Sequence, residues 1–146
     1  MKKFKFSLQR LLEYKDKSLD HEKDTLASIR RELQVLVEQR QELTRQFREA
    51  NDRFNARAAI GMTQQDINAE KAYIKSLQAQ IDGLDVKIAS TEVRVEKQLL
   101  VVVELTKEVS SIEKLKEHQL EDYKKREQKE DELFIEEFVT NSTYSN

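Results

Sequence analysis

The side chains best suited to chemistry in this chain of 146 residues are two histidines, His21 and His118, and 28 acidic residues; cysteine is absent. His118 and Asp122 stand four apart, so on a helix they share a face and could supply two ligands to a metal ion. Two ligands on so acidic a surface are most simply read as a solvated helix face, and no metal site is expected. His21 and His118 do not fall opposite each other in the register derived below. There is no glycine-rich phosphate loop, no G-K-[ST], no G-x-S-x-G and no H-E-x-x-H, so the common nucleotide, hydrolase and zinc signatures are missing. Carboxylates doing acid or base work need an enclosed pocket to shift their pKa. Two paired helices offer none, so no catalytic residue, cofactor or enzymatic activity is expected. The lack of cysteine removes disulfides and thiol chemistry and is compatible with a reducing cytoplasm.

The elements that would position these side chains follow from composition and period. The chain is 38% apolar and 37% charged, has no proline, and has only two glycines, Gly61 and Gly83. Such a chain is too charged for an ordinary core and too regularly apolar for disorder, which points to a coiled coil or long helix. Alternating steps of four and three from Leu8 land on Leu8, Leu12, Lys15, Leu19, Glu22, Leu26, Ile29, Leu33, Leu36, Arg40, Leu43, Phe47, Ala50 and Phe54, a sustained 3.5-residue repeat interrupted by three polar positions. It ends at Ala58-Ala59-Ile60-Gly61-Met62-Thr63. There Gly61 suits a left-handed helix end, and Thr63 with Asp66 resembles a capping box. A second series runs from Ile67 through Ile74, Leu77, Ile81, Leu84, Ile88, Thr91, Val95, Gln98, Val102, Leu105, Val109 and Ile112.

Folding at Gly61 pairs positions whose numbers sum to 124, such as Phe47 with Leu77, Leu43 with Ile81, Leu19 with Leu105 and Leu12 with Ile112. The expected fold is all-α: two long helices in an antiparallel coiled-coil hairpin, the second longer and overhanging. Residues 1–60 form the first helix, 61–63 the turn, 64–139 the second helix and 140–146 a frayed, disordered tail. At 1.5 Å per residue the helices would be roughly 80 Å and roughly 110 Å long. Each polar seam position meets an apolar one in this register: Lys15 faces Val109, Glu22 faces Val102, Arg40 faces Leu84, Gln98 faces Leu26 and Thr91 faces Leu33. Their long stems can lie along the seam with the charge in water. Beyond about residue 116 the second helix has no partner, which leaves Leu120, Tyr123, Leu133, Phe134, Phe138 and Val139 uncovered.

Charge is uneven. Lys2, Lys3, Lys5 and Arg10 make the first ten residues purely basic, whereas 127–137 carry six acids and one lysine. No basic and aromatic interleaving extends along the chain, so nucleic-acid binding is not expected. Lys5, Gln9, Arg10 and Glu13 interrupt any signal-peptide core, and the longest dense apolar run, Leu99 to Val103, is too short to span a bilayer. Three patches are candidates for partner contact: the amino end with Phe4, Phe6, Leu8, Leu11 and Leu12; the tip with Phe47, Phe54, Tyr73 and Leu77; and the overhang with Leu133, Phe134 and Phe138.

The order Phe4-x-Phe6-x-Leu8-Gln9-x-Leu11-Leu12, then Gly61-Met62-Thr63 with Asp66 and Tyr73, then Asp131-Glu132-x4-Glu137-Phe138, resembles the flagellar export protein FliJ family over essentially the full length. That resemblance implies a non-enzymatic cytoplasmic stalk, similar to the γ stalk of rotary ATP synthases. Such a stalk enters the pore of the hexameric flagellar export ATPase, contacts the export gate membrane protein, and helps recycle export chaperones at the cytoplasmic side of the cell membrane. By that resemblance Leu8, Leu12, Leu19 and Leu105 face the ATPase, and Phe47, Phe54, Tyr73 and Leu77 face the gate. Glu70 and Ala72 depart from the more aromatic, glutamine-rich family pattern. The free protein is expected to be a monomer. The competing reading is a structural homo-oligomeric coiled coil or a holdase chaperone, with the same heptads paired between chains.

Overall fold

The structure, a computed structural model, describes residues 2–144. It holds two helices, α1 (Gln9–Ile60) and α2 (Gln64–Tyr144). Between them Gly61 takes a φ of 123°, a conformation open to glycine and strained for a residue with a Cβ. The Gly61 N–H donates to the Arg57 carbonyl at 2.9 Å, closing α1. Thr63 starts α2 by accepting the Asp66 N–H on its hydroxyl at 3.1 Å. Asp66 and Arg57 put a negative charge at the start of α2 and a positive one at the end of α1, each matched to its helix dipole.

The contacts divide the molecule into a turn unit, residues 22–101, and a terminal unit, formed by the chain up to His21 and from Val102 onward. In the turn unit the two helices run antiparallel and bury Leu26, Ile29 and Ala50 of α1 against Leu77, Ile81 and Thr91 of α2. Burying a leucine or isoleucine is worth about 1.5–3 kcal/mol, so a few such layers carry the pairing. Cross-helix ion pairs set the register. Arg40 with Asp85 sums to 125, Arg94 with Glu32 (2.7 Å) to 126, and Arg53 with Glu70 (3.4 Å) to 123. The in-phase pairing about 124 read from the heptads is therefore present.

The polar seam positions depart from expectation in part. Glu22 and Gln98 find each other, whereas Arg40 keeps its charge largely in water beside Asp85 and Thr91 bonds its own backbone. Gln98 donates from its amide to the Glu22 carbonyl at 3.0 Å and to the Glu22 carboxylate. Arg40 pairs with Asp85. Thr91 is buried and donates to its own helix at the Lys87 carbonyl, 2.8 Å away. A half-buried polar group that lost its water partner would cost more than the modest gain of lying on a methyl group, so each reaches a polar partner within a turn.

In the terminal unit the helices are again antiparallel. Lys116 donates to the Gln9 side chain at 2.8 Å and Lys15 pairs with Glu108 at 2.8 Å, around buried Leu12, Leu19, Val102 and Val109. The first helix does not begin at the first residues, as expected, but at Gln9. Lysines at 2, 3 and 5 would face the positive end of a helix dipole, while the Lys-Phe alternation has the period of an extended chain. Residues 2–6 accordingly form an arm. Lys3 and Lys5 are exposed, Phe4 is half-buried and Phe6 is buried. The arm lies on α2, with the Phe4 ring 5.6 Å from that of Tyr123 and the Tyr123 hydroxyl donating to the Lys2 carbonyl.

This arm moves the limit of coverage on α2 from about residue 116 to Tyr123. Beyond it every residue from Lys124 to Thr143 is exposed. The helix also continues through Thr140–Tyr144, where a frayed tail was expected. No glycine or proline breaks it there, and the Thr143 hydroxyl donates to the Val139 carbonyl at 2.9 Å. Residues 145 and 146 of that expected tail lie outside the described residues.

Candidate functional site

The leucines expected to face a partner in the terminal unit are largely consumed by its own seam. Leu12 and Leu19 are 6% and 7% exposed, and Leu8 and Leu105 are half-buried. Leu12, Leu19 and Leu105 lie in the seam between α1 and α2, and Leu8 lies just before it. Surface in this unit is offered instead by Tyr14 and, above all, by the uncovered end of α2. There Leu133, Phe134, Ile135, Phe138 and Val139 are all more than half exposed. Phe134 with Phe138 and Ile135 with Val139 are four apart and form an apolar face. Glu130, Asp131, Glu132, Glu136 and Glu137 surround it with no base among them. A helix of this kind docks in a groove, and this one suits a groove with basic rims.

In the turn unit Leu77 is buried and Phe47 and Phe54 are half-buried, so all three belong to the seam. Tyr73 stands apart from it, 45% exposed, with the Arg53 guanidinium carbon 6.0 Å from its ring centroid. Arg53 and Arg57 both reach Glu70, at 3.4 and 3.0 Å, so the tyrosine rests on a fixed cluster of charges beside the turn.

One surface escaped the sequence reading. A groove of about 580 Å³ is lined by Gln39, Glu42 and Leu43 of α1 and by Gln80, Gly83, Leu84 and Lys87 of α2. Gly83 opens it. A Cβ built there meets nothing within 4 Å, so the missing side chain is not required by packing of this chain on itself. A glycine in mid-helix was the available signal; it was not used because the heptad pattern passes through Gly83 undisturbed. Charges around the groove are fixed by neighbours. A hydrogen bond from Arg45, then one from Gln46, holds the Glu42 carboxyl down at about 2, and Glu42 and Glu49 in turn raise the Arg45 pKa. Asp85 raises the pKa of Arg40 by hydrogen bonding and charge. In the terminal unit, partial burial raises the Tyr123 pKa, with Glu127 and Glu130 adding to it, so its hydroxyl keeps the proton it gives to Lys2.

His118 and Asp122 are both exposed on α2, and His21 is exposed on α1. Among the described residues no group of three or more His, Cys, Asp or Glu could hold a metal ion. No helix among the described residues is long and apolar enough to cross a membrane.

Two antiparallel helices with a glycine turn, a seam of leucine and isoleucine, and apolar and grooved outer surfaces define an all-α hairpin of the coiled-coil class. The chain belongs to the flagellar FliJ protein family, whose model matches residues 4–146. It is thereby a component of the flagellar export apparatus. Comparison with curated proteins and with solved structures gives no match.

Proposed function

We propose that the chain is a non-enzymatic stalk that binds the hexameric flagellar export ATPase through its terminal unit and the export gate through its turn unit. In this role it promotes assembly and activity of the ATPase and the recycling of export chaperones, on the cytoplasmic side of the membrane. The observation that carries the reading is the stretch from Lys124 to Thr143, exposed at every residue yet bearing five large apolar side chains. Leaving such a face in water is unfavourable by roughly 25 cal/mol per Å² of apolar surface, which a docking partner recovers. The Tyr73 cluster and the Gly83 groove give the turn unit surfaces of its own for a second partner. Binding needs no pocket chemistry, which agrees with side chains that are paired with one another and not aimed into a cavity.

The test is hydrolysis by the purified cognate export ATPase with and without this protein. The intact chain binds and stimulates it, and a chain ending at Tyr123 loses at least tenfold in affinity while keeping its helical signal in proportion to its length. An intact, folded protein that neither binds nor stimulates the ATPase ends the proposal.

A further inference from the structure

The arm at residues 2–6 lies across the root of the exposed end of α2. Its own root is fixed: Phe6 is 8% exposed, and its carbonyl accepts the Gln9 N–H at 3.1 Å where α1 begins. Ahead of Phe6 the hold is slight. The Phe4 ring meets that of Tyr123, and the Tyr123 hydroxyl donates to the Lys2 carbonyl. The side chains of Lys2, Lys3 and Lys5 are exposed and make no ion pair among the described residues. Residues 2–5 can therefore swing about Phe6 without unseating a residue of the seam.

Three features set this arm against a docking partner. Tyr123 lies on the stripe of α2 that the apolar anchors continue, because Phe134 stands eleven residues further on, about three turns, and Phe138 four beyond that. The cleft under the arm is lined by Lys2, Lys3 and Lys5 and, on α2, by Asp122 and Glu130. Glu130 is also the first acid of the rim around those anchors, one turn before Phe134. A partner with basic rims thus brings to Glu130 the sign of charge that the arm already supplies. One helical turn is shorter than the screening length of about 8–10 Å, so the two sets of cations repel.

We propose that residues 2–5 are an autoinhibitory strap: they cover the root of the docking stripe at Tyr123, and a partner seated on Phe134 and Phe138 lifts them off. The partner is that of the stalk proposal, on which the strap rests; what is added is regulation of that site. Closed, the strap weakens docking by occupying Tyr123 and by repelling basic rims with its lysines. Open, it leaves Tyr123 as a third aromatic anchor in line with Phe134 and Phe138, while Phe6 keeps the start of α1 in place.

The chain has no cysteine, so Lys3→Cys/Arg126→Cys places the only two thiols on opposite walls of the cleft. A bismaleimide with an internal disulfide bridges them and holds the strap closed until a reductant cuts it. The bridged monomer binds the purified export ATPase at least fivefold more weakly than the same sample after reduction. Lys2→Gln/Lys3→Gln/Lys5→Gln binds at least threefold more tightly than the parent chain, with circular dichroism and melting unchanged because all three lysines are exposed. Equal binding before and after reduction, or tighter binding when bridged, overturns the strap and leaves the stalk proposal standing. No binding by any form, the parent chain included, ends the stalk proposal and the strap with it.

Discussion

α2 lives in two environments. Between Gln64 and Val101, in the turn unit, it is accompanied throughout by α1, and its seam residues reach 2% exposure at Leu77. In the terminal unit it is accompanied by α1 and then, as far as Tyr123, by the arm at residues 2–6, after which the twenty residues 124–143 are all exposed. Both stretches carry large apolar residues. What differs is the spacing: 3.5 residues in the first, and a cluster at 133–135 and 138–139 in the second. Regular spacing makes a seam that closes within the molecule, whereas a cluster makes an anchor for something outside it. The polar residues divide in the same way, into cross-helix pairs such as Arg94 with Glu32 and into a one-signed acidic rim.

The contrast is tested most severely by cutting one apolar residue from each stretch. Leu77→Ala costs about 2–5 kcal/mol of unfolding free energy in urea titration, as expected for a buried leucine, while Phe138→Ala changes it by no more than about 0.5 kcal/mol. Equal losses would mean that the far end of α2 is covered after all. A smaller effect of opposite sign comes from the groove. Gly83→Ala stabilises the turn unit by about 0.5–1 kcal/mol, because the helix interior penalises glycine by that amount and the new methyl group meets nothing; a destabilised variant would refute the open geometry there. The smallest effect is in pH. Glu42 is held at about 2 by Arg45, below its ordinary 4.5. Its contribution is therefore complete above about 4.5 and is lost as pH falls through about 2. Because the pair is exposed, salt weakens it. The melting midpoint measured across that window falls slightly less in Glu42→Gln than in the parent chain.

The hairpin and its register were legible because a heptad seam is a long, redundant signal. Leu12, Leu19, Leu26, Ile29, Leu77 and Ile81 each repeat the same information, and a few polar interruptions cannot erase it. The arm was not read, because residues 2–6 were absorbed into the helix that follows; only the lysine–phenylalanine alternation at period two distinguished them. The pairing of Gln98 with Glu22 was missed for another reason. Register assigns neighbours by layer, and a long side chain can reach a full turn along the seam to find a hydrogen-bond partner. The candidate contacts divided along the same line. Leu12, Leu19 and Leu77 were conspicuous in the sequence because they are seam residues, and that is why they lie inside. The outward surfaces are marked by subtler things: a glycine with no packing reason, a tyrosine off the seam beside Arg53, and apolar residues out of period.

The turn at Gly61 rests on one backbone angle of 123°. Two seams that fit when joined by that bend fit equally well when each is supplied by a different molecule. If a side chain at this position straightened the junction into continuous helix, the arms would exchange between neighbours and the same contacts would build an interlocked dimer of twice the mass. Choice of a single glycine therefore fixes how many molecules share one seam, as well as where the chain turns.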